Sequence, residues 1–312
     1  MKISIIIPVY NEEESVEKLY QEIKETTSRS SLDCEIIAVN DGSTDGSVNV
    51  LKKIAQNDRE FKVIDFRRNC GQTAAISAGI DFAQGDVLIP LDADLQNDPA
   101  DIPKLLEKIN EGFDVVSGWR KNRKDNLSRR LPSRGANWLI SFITKVKLHD
   151  YGCTLKAYKK EIIKDVHLYG EMHRFIPAYA VWHGAKVAEI VVNHRERKHG
   201  KAKYGLSRIF RVTLDLLTVK FLMNYLTRPM HFFGQAGMSL LSLGFLSGLA
   251  AIVLKILHIR DFVATPLPLF TVFLIIVGIQ FILMGLLAEI LIRIYYEPRG
   301  KSSYSIREKI NF

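Results

Sequence analysis

A doubly wound α/β sheet followed by a two-helix membrane hairpin is the architecture this 312-residue sequence predicts, on three observations. Short Val/Ile/Leu runs alternate with amphipathic stretches as far as Trp119. Polar clusters follow several of these runs directly. Near the carboxyl end, Phe232–Leu254 and Phe262–Ala288 contain no charged residue.

The expected strands are Ile3–Val9, Glu35–Val39, Phe61–Phe66, Val87–Leu91 and Val115–Ser117. Apolar side chains at consecutive positions suit a parallel sheet covered on both faces. Between the strands, Glu13–Thr27, Ser47–Asn57, Gln72–Ala83 and Ala100–Asn110 carry apolar residues at helical spacing. Strand and helix alternating in this way imply crossover connections and a doubly wound sheet. Past Arg120 a basic, weakly periodic linker runs to Gly135. Ala136–Val146 then reads as helix, Asp150–Tyr158 as an extended segment and Lys186–Val192 as a further strand. Tyr204–Thr227 is apolar on one side and carries Arg208, Arg211, Asp215 and Lys220 on the other, as a helix lying in a membrane interface would.

At ~1.5 Å per residue, Phe232–Leu254 extends roughly 34 Å, enough to cross a hydrocarbon core of about 30 Å. Arg208, Arg211, Lys220 and Arg228 precede the first span, and Arg293, Arg299, Lys301, Arg307 and Lys309 follow the second. The connection holds only Lys255, Arg260 and Asp261 with His258. The positive-inside rule places both ends in the cytoplasm and the short connection outside, in a multi-pass protein of the inner or plasma membrane. The expected organisation is a cytoplasmic globular domain over 1–203, juxtamembrane helices over 204–230, two transmembrane helices over 231–292 and a cytoplasmic tail over 293–312.

Composition alone would hide this. Lys and Arg number 43 against 34 Asp and Glu, a net charge of +9, and hydrophobic residues make up 47%, values ordinary for a soluble protein. The basic excess is local: Arg120, Lys121, Arg123, Lys124, Arg129, Arg130 and Arg134 form one cluster, and His194–Lys203 holds another. Such clusters meet phosphates or anionic head groups. Nucleic acid is not expected, because a chain with two spans already has anionic lipid beside it. Cys34, Cys70 and Cys153 are odd in number and widely spaced, which argues against a disulfide framework and a zinc site. Ile3–Val9 is too short for a signal peptide and runs at once into Asn11-Glu12-Glu13-Glu14. His173, His183, His194 and His199 lack metal-ligand spacing. Trp119 and Trp138 flank the basic linker, and an interfacial position suits them.

In doubly wound sheets ligands bind beyond the carboxyl ends of the strands. There the chain places Pro8-Val9-Tyr10-Asn11-Glu12, Asn40-Asp41-Gly42-Ser43 and Asp92-Ala93-Asp94. Asp92 and Asp94 are two residues apart at the end of an apolar strand and so face one side. Two carboxylates there suit Mg²⁺ or Mn²⁺, and Gln96 could add an oxygen. An Asp-rich turn capping the helix near Pro99 would read the same way. The Asn40–Gly46 segment suits close approach to a ligand, or a plain strand-to-helix turn with Ser43 or Thr44 as N-cap. No P-loop pattern and no G-x-G-x-x-G after the first strand are present.

Five blocks, Ile5–Glu12 (IIIPVYNE), Val39–Gly46 (VNDGSTDG), Asn69–Ala78 (NCGQTAAISA), Leu91–Pro99 (LDADLQNDP) and Ser117–Arg120 (SGWR), together resemble family 2 glycosyltransferases. Within that family the whole chain resembles the polyprenyl-phosphate glycosyltransferases, the bactoprenol glucosyltransferases and dolichyl-phosphate mannose synthases. The resemblance implies a GT-A fold, a nucleotide-diphosphate sugar donor and a lipid monophosphate acceptor. By matching position it implies that Pro8, Tyr10, Glu12 and Asp41 hold the nucleoside. Asp92, Asp94 and Gln96 would hold Mg²⁺ or Mn²⁺ and the donor diphosphate. Arg120, Arg129 and Ser133 fall where the family binds phosphates. Asp150–Lys156 resembles a later acidic block, in which Asp150 is the candidate base. Lys201, Lys203 and Tyr204 would either close over phosphate or bind head groups. Asn40 departs from the aspartate that many members carry there.

The resulting expectation is metal-dependent, inverting transfer of a hexose to polyprenyl phosphate, with glucose from UDP-glucose as the expected donor. GDP-mannose and a formylated aminoarabinose donor are the alternatives. A processive polysaccharide synthase would carry Q-x-x-R-W, absent here. A non-enzymatic lipid-carrier transporter or scaffold fits less well, since two spans make a poor path and Asp92 and Asp94 are intact. A homo-oligomer is left open.

Overall fold

Four apolar runs form the centre of the sheet in a computed structural model that describes residues 1–121, 137, 140–141, 144–164, 172–195, 229–296 and 304–312. The strands β1 (Ile3–Val9), β2 (Cys34–Asn40), β3 (Phe61–Phe66) and β4 (Val87–Pro90) pair in parallel in the order β4-β1-β2-β3. Their residues are buried nearly without interruption, as expected of strands covered on both faces. Val9 pairs with Asn40 and Asn40 with Asp65, so the carboxyl ends of β1, β2 and β3 finish level. The helices α1 (Glu13–Arg29), α2 (Ser47–Asn57), α3 (Gln72–Phe82) and α4 (Ile102–Asn110) fall where periodicity predicts them. A short 3-10 turn, Pro99–Asp101, opens α4 and is capped by Asp98, which accepts the Ala100 N–H at 3.1 Å.

The expected α/β sheet is present, and it is mixed, with antiparallel strands added to the parallel centre. β5 (Val115–Trp119) is separated from β4 by β6 (Lys156–Lys159), which is antiparallel to both. β7 (Val187–Val191) pairs in parallel with β5. β8 (Ile306–Ile310), inside the expected tail, runs antiparallel along β3. The order is β7-β5-β6-β4-β1-β2-β3-β8. Neither added strand is an apolar run. β6 reads Lys-Ala-Tyr-Lys and lies inside the sheet, whereas β8, at the edge, reads Ile-Arg-Glu-Lys-Ile and is mostly exposed. Two short helices, α5 (Lys160–Ile163) and α6 (Ile176–Trp182), also occur among the described residues, with a 3-10 turn at Met172–Phe175.

At the opposite end of the sheet from these level strand ends, Glu35 is wholly buried. It accepts from Ser4 Oγ at 2.5 Å, Lys62 Nζ at 2.7 Å and the Gln84 and Gly85 N–H groups at 2.6 and 3.2 Å. Burial alone would raise its pKa; the bonds from Lys62, Ser4 and Gln84 outweigh it, and the pKa falls below the ordinary 4.5. A depressed folded-state pKa gives stability that is complete above the unfolded value and lost as pH falls through the folded one. Glu35→Gln is therefore expected to cost about 3 kcal/mol near neutral pH, because it leaves the buried Lys62 without its counter-charge. It should also flatten the loss of stability below pH 4.5. Thermal melts across pH check both; an unchanged midpoint and slope would count against this role.

By packing, the chain divides into Met1–Lys220 with Ser302–Phe312, and Phe221–Lys301. The second unit contains α7 (Pro229–Ile256) and α8 (Leu267–Tyr296), joined through a 3-10 turn at Phe262–Ala264. Phe232–Ile256 and Leu267–Ala288 are long and apolar enough to cross a membrane. Their outward faces carry Leu243, Phe245, Leu269 and Phe273, more than half exposed. The two helices meet where Gly237 and Gly278 approach: a Cβ on Gly237 would stand 2.7 Å from the Gly278 carbonyl. Small residues at such crossings let apolar helices pack without side chains between them. The interfacial helix expected over Tyr204–Thr227 lies outside the described residues.

Candidate active site

Three loops converge beyond the level strand ends. After β1, Asn11 takes a left-handed conformation with φ of 53°. Its N–H donates to Ser43 Oγ at 3.0 Å and its Oδ1 accepts the Thr44 N–H at 2.8 Å. The Glu12 N–H donates to Ser47 Oγ at 3.0 Å. The loop after β1 is thereby locked to the loop after β2, with Pro8, Tyr10 and Glu12 partly exposed along it. After β2, Gly42 has φ of +67°, and a Cβ there would stand 2.6 Å from the Arg68 and Asn69 backbone. Only glycine allows this approach between the loops after β2 and β3.

Asp41 is nearly buried, and its two oxygens accept the Cys70 N–H at 2.6 Å and the Gly71 N–H at 2.9 Å. Burial raises its pKa and these two bonds work against the rise. The carboxylate therefore fixes the loop that opens α3, a task the sequence reading did not assign to it. Asn40 is also structural: it donates to Asp65 Oδ1 at 2.7 Å and accepts the Ser43 N–H at 3.2 Å.

Beyond β4 lies the carboxylate pair. Leu95, just past Asp94, is buried and holds φ at 59°, an unfavourable conformation for a residue with a Cβ. Both oxygens of Asp92 are oriented by side chains from elsewhere: Gln72 Nε2 donates at 2.8 Å and Thr154 Oγ1 at 2.7 Å. Asp94 Oδ1 accepts the Gln96 N–H at 3.2 Å. Burial, then the charge of Asp94, push the Asp92 pKa up to about 6, against the pull of Thr154 and Arg120. A hard dication is what relieves two such carboxylates. Among the described residues no cluster of three His, Cys, Asp or Glu side chains forms a closed metal cage. Asp92 and Asp94, with Gln96 two residues on, are the residues that could hold Mg²⁺ or Mn²⁺, ions that take hard oxygen ligands and leave positions to phosphate and water.

The third part is an ion pair between the end of β5 and the turn before β6. Arg120 Nε donates to Asp150 Oδ2 at 2.7 Å and Nη2 to Oδ1 at 2.9 Å, a bidentate fork. Burial works against the charged guanidinium, but the Asp150 carboxylate outweighs it and holds the Arg120 pKa above its ordinary value. The Gly152 N–H donates to Asp150 Oδ1 at 3.1 Å. Asp150 is thus engaged on both oxygens, as expected of a residue that orients an arginine. Glu189 on β7 supports it from behind, accepting the Asp150 N–H at 3.1 Å and pairing with His149 Nδ1 at 2.6 Å. The His149 ring in turn stacks on Trp119, with ring centroids 4.2 Å apart.

Several residues that contact the candidate site carry no signal of their own in the sequence. Gln72 and Thr154 lie inside blocks that resemble the family, Glu189 lies in none, and all three are brought to the site by the fold. Lys156 is buried and donates to the Tyr151 and Cys153 carbonyls, bracing the turn between Asp150 and Thr154. Burial pulls its pKa down to about 8. His173 is a packing residue: its Nδ1 meets Thr73 Oγ1 at 2.7 Å, and burial holds its pKa well below the usual range. Arg129, Ser133, Lys201, Lys203, Tyr204, Trp138 and His199 lie outside the described residues.

Residues 4–167 match the family described as glycosyl transferase family 2. A dodecaprenyl-phosphate galacturonate synthase from Rhizobium johnstonii is 44% identical over 99% of this chain and 93% of its own length. An undecaprenyl-phosphate 4-deoxy-4-formamido-L-arabinose transferase from Pseudomonas fluorescens is 40% identical over 98% of this chain and 89% of its own. Among solved structures, mannosyl-3-phosphoglycerate synthase from Rubrobacter xylanophilus superposes with a TM-score of 0.56 at 16% identity, covering 71% of this chain and 74% of that one. Glucosyl-3-phosphoglycerate synthase from Mycobacterium tuberculosis, in complex with Mn²⁺ and UDP-glucose, gives 0.54 at 16% identity over 71% and 79%. These two likenesses concern the GT-A fold.

Proposed function

Because the chain belongs to glycosyltransferase family 2, we propose that it transfers a sugar from a nucleotide-diphosphate donor to the phosphate of a polyprenyl lipid at a membrane. The observation that carries this reading is the carboxylate pair Asp92 and Asp94 set beside the Arg120–Asp150 fork, at the carboxyl ends of the strands. The names of the relatives support the polyprenyl phosphate acceptor. Asp92, Asp94 and Gln96 would hold Mg²⁺ or Mn²⁺, which when bound supplies positive charge opposite the donor diphosphate.

The acceptor phosphate has a second pKa near 6 and is mostly a dianion at neutral pH, so no strong base is needed to make it a nucleophile. What the protein must supply is relief of repulsion between that dianion and the donor diphosphate. Arg120, pre-oriented by Asp150, is placed to do so. Attack on the anomeric carbon from the side opposite the nucleotide inverts its configuration.

For the donor, the relatives' names favour galacturonate or formamido-arabinose over the glucose expected from the sequence. Galacturonic acid and L-arabinopyranose share their configuration at ring carbons 2 to 4, with an axial substituent at carbon 4 where glucose has an equatorial one. A galacto-configured UDP-sugar is therefore the proposed donor class. A panel of UDP-galacturonate, UDP-4-formamido-arabinose, UDP-glucose and GDP-mannose, with polyprenyl phosphate as acceptor, tests this. Turnover should be highest with one of the first two; preference for UDP-glucose or GDP-mannose would overturn the donor assignment.

Membrane topology has support from the sheet. β3 precedes the two apolar helices in sequence and β8 follows them, yet the two strands pair. The chain on either side of the helices must then lie on one side of any bilayer they cross, which a hairpin satisfies. With the charge bias, that side is the cytoplasm. Cysteine introduced at Ile259 or Asp261 should react with an impermeant thiol reagent from outside, and cysteine at Ser305 should not. The reverse pattern would refute the hairpin.

A further inference from the structure

β8 has no place in the chemistry described so far, yet it is bound at many points to the elements that build the site. The Arg67 N–H donates to the Ser305 carbonyl at 2.9 Å, extending the β3–β8 ladder into the loop after β3. The Tyr304 ring stacks on Phe66 at 5.2 Å, and its hydroxyl donates to Asp81 on α3 at 2.7 Å. Lys52 on α2 pairs with Glu308 at 2.6 Å. The Asn311 amide reaches the Ala55 and Phe61 carbonyls at 2.8 and 2.9 Å.

One contact leads toward the loops after β1 and β2. Arg307 Nη1 stands 3.4 Å from Asp65 Oδ2, and Nη2 donates to the Arg67 carbonyl at 3.3 Å. Asp65 is 2% exposed, and its other oxygen accepts from Asn40 at 2.7 Å. Asn40 accepts the Ser43 N–H, and Ser43 Oγ accepts the Asn11 N–H. Arg67 meanwhile opens the loop whose Cys70 and Gly71 grip Asp41. A continuous line of polar contacts thus joins the C-terminal strand to the loops after β1, β2 and β3.

We propose that the C-terminal strand is a positioning element for the donor-nucleotide pocket, with Arg307 acting through Asp65 and Asn40. The proposal rests on reading these strand-end loops as that pocket. Its physical basis is the buried Asp65 carboxylate, which Arg307 and Asn40 hold from its two oxygens. Removing the guanidinium takes away the partner that fixes one of them, so the carboxylate can turn and loosen its bond to Asn40, and with it the turn that Asn40 and Ser43 hold. Arg307 touches the end of β3 and the start of the loop that follows it, so the effect is expected on the donor side.

The test uses the full chain in detergent, with UDP and GDP as probes by calorimetry and kinetics against donor and acceptor separately. Arg307→Met should weaken binding of the preferred nucleotide and raise donor KM by about fivefold, the scale of a partly exposed ion pair. Acceptor KM should not move, and Arg307→Lys should recover most of the loss. A chain ending at Ser303 should bind nucleotide at least about tenfold more weakly, and a synthetic peptide of residues 304–312 should restore it by strand addition. Unchanged nucleotide affinity in folded Arg307→Met, or an equal rise in acceptor KM, would overturn the proposal even where the shortened chain fails to fold. A parent chain that binds neither UDP nor GDP would instead refute the reading of the pocket itself.

Discussion

Asp94→Asn is expected to lower sugar transfer by at least about 10²-fold, the scale on which one preorganised stabiliser acts. The substitution keeps the shape of the side chain and an acceptor for the Gln96 N–H, which Asp94 Oδ1 accepts at 3.2 Å. What it removes is charge. Of the two carboxylates, Asp92 has both oxygens engaged by Gln72 and Thr154, so its rotamer is set by the protein. Losing the second carboxylate leaves one anionic donor where a dication needs hard, charged oxygen to compete with water. EDTA should abolish transfer, and Mg²⁺ or Mn²⁺ should restore it. Calorimetry of Mn²⁺ with UDP should show weakened binding in Asp94→Asn, a readout independent of turnover. Full activity in EDTA, with the protein folded, would sink the assignment of Asp92, Asp94 and Gln96.

The second large effect concerns Arg120. Arg120→Met should reduce kcat/KM by about 10²- to 10³-fold, since it removes a guanidinium held in place before substrate arrives. Part of the damage would be structural, because Asp150 is 3% exposed and would lose the bidentate fork from Arg120. Asp150→Asn separates the two roles still open for that carboxylate. If Asp150 orients Arg120, the asparagine keeps one acceptor for the fork and the Gly152 N–H, and transfer falls roughly tenfold but stays measurable, the loss of one charge-assisted bond. If Asp150 were an essential base, a folded, donor-binding Asp150→Asn enzyme would be dead. Kinetics against pH for both variants, with the product anomer assigned by NMR, decides between them. A retained configuration would reject single displacement.

How far the fold was legible depends on whether a residue's partners were near it in sequence. β1, β2, β3 and α1 to α4 follow from apolar runs and helical periodicity, because each buries a face that its own composition defines. Leu91 was expected to close β4, which ends at Pro90 instead. Lys156–Lys159 reads only as the end of an extended segment, and Ile306–Ile310 carries no strand signal. Their apolar content is too low, and they enter the sheet because a neighbouring strand offers unpaired N–H and C=O groups.

The site divides along the same line. Pro8, Tyr10, Glu12, Asp41, Asp92, Asp94, Arg120 and Asp150 are visible in the sequence as polar residues at or near the ends of apolar runs, and the roles expected of them come from the resemblance of the blocks around them. The two apolar helices were equally plain, for a run without charges needs no partner to be recognised. What the tertiary structure alone decided is which groups face one another: Gln72 and Thr154 on Asp92, the Arg120 fork on Asp150, Glu189 behind it, and a C-terminal strand closing the edge beside Asp65. Those pairings join residues 20 to 242 positions apart. Hydrogen bonds and ion pairs depend on distances of a few ångströms set by the packing of the whole sheet, and local sequence carries no record of them.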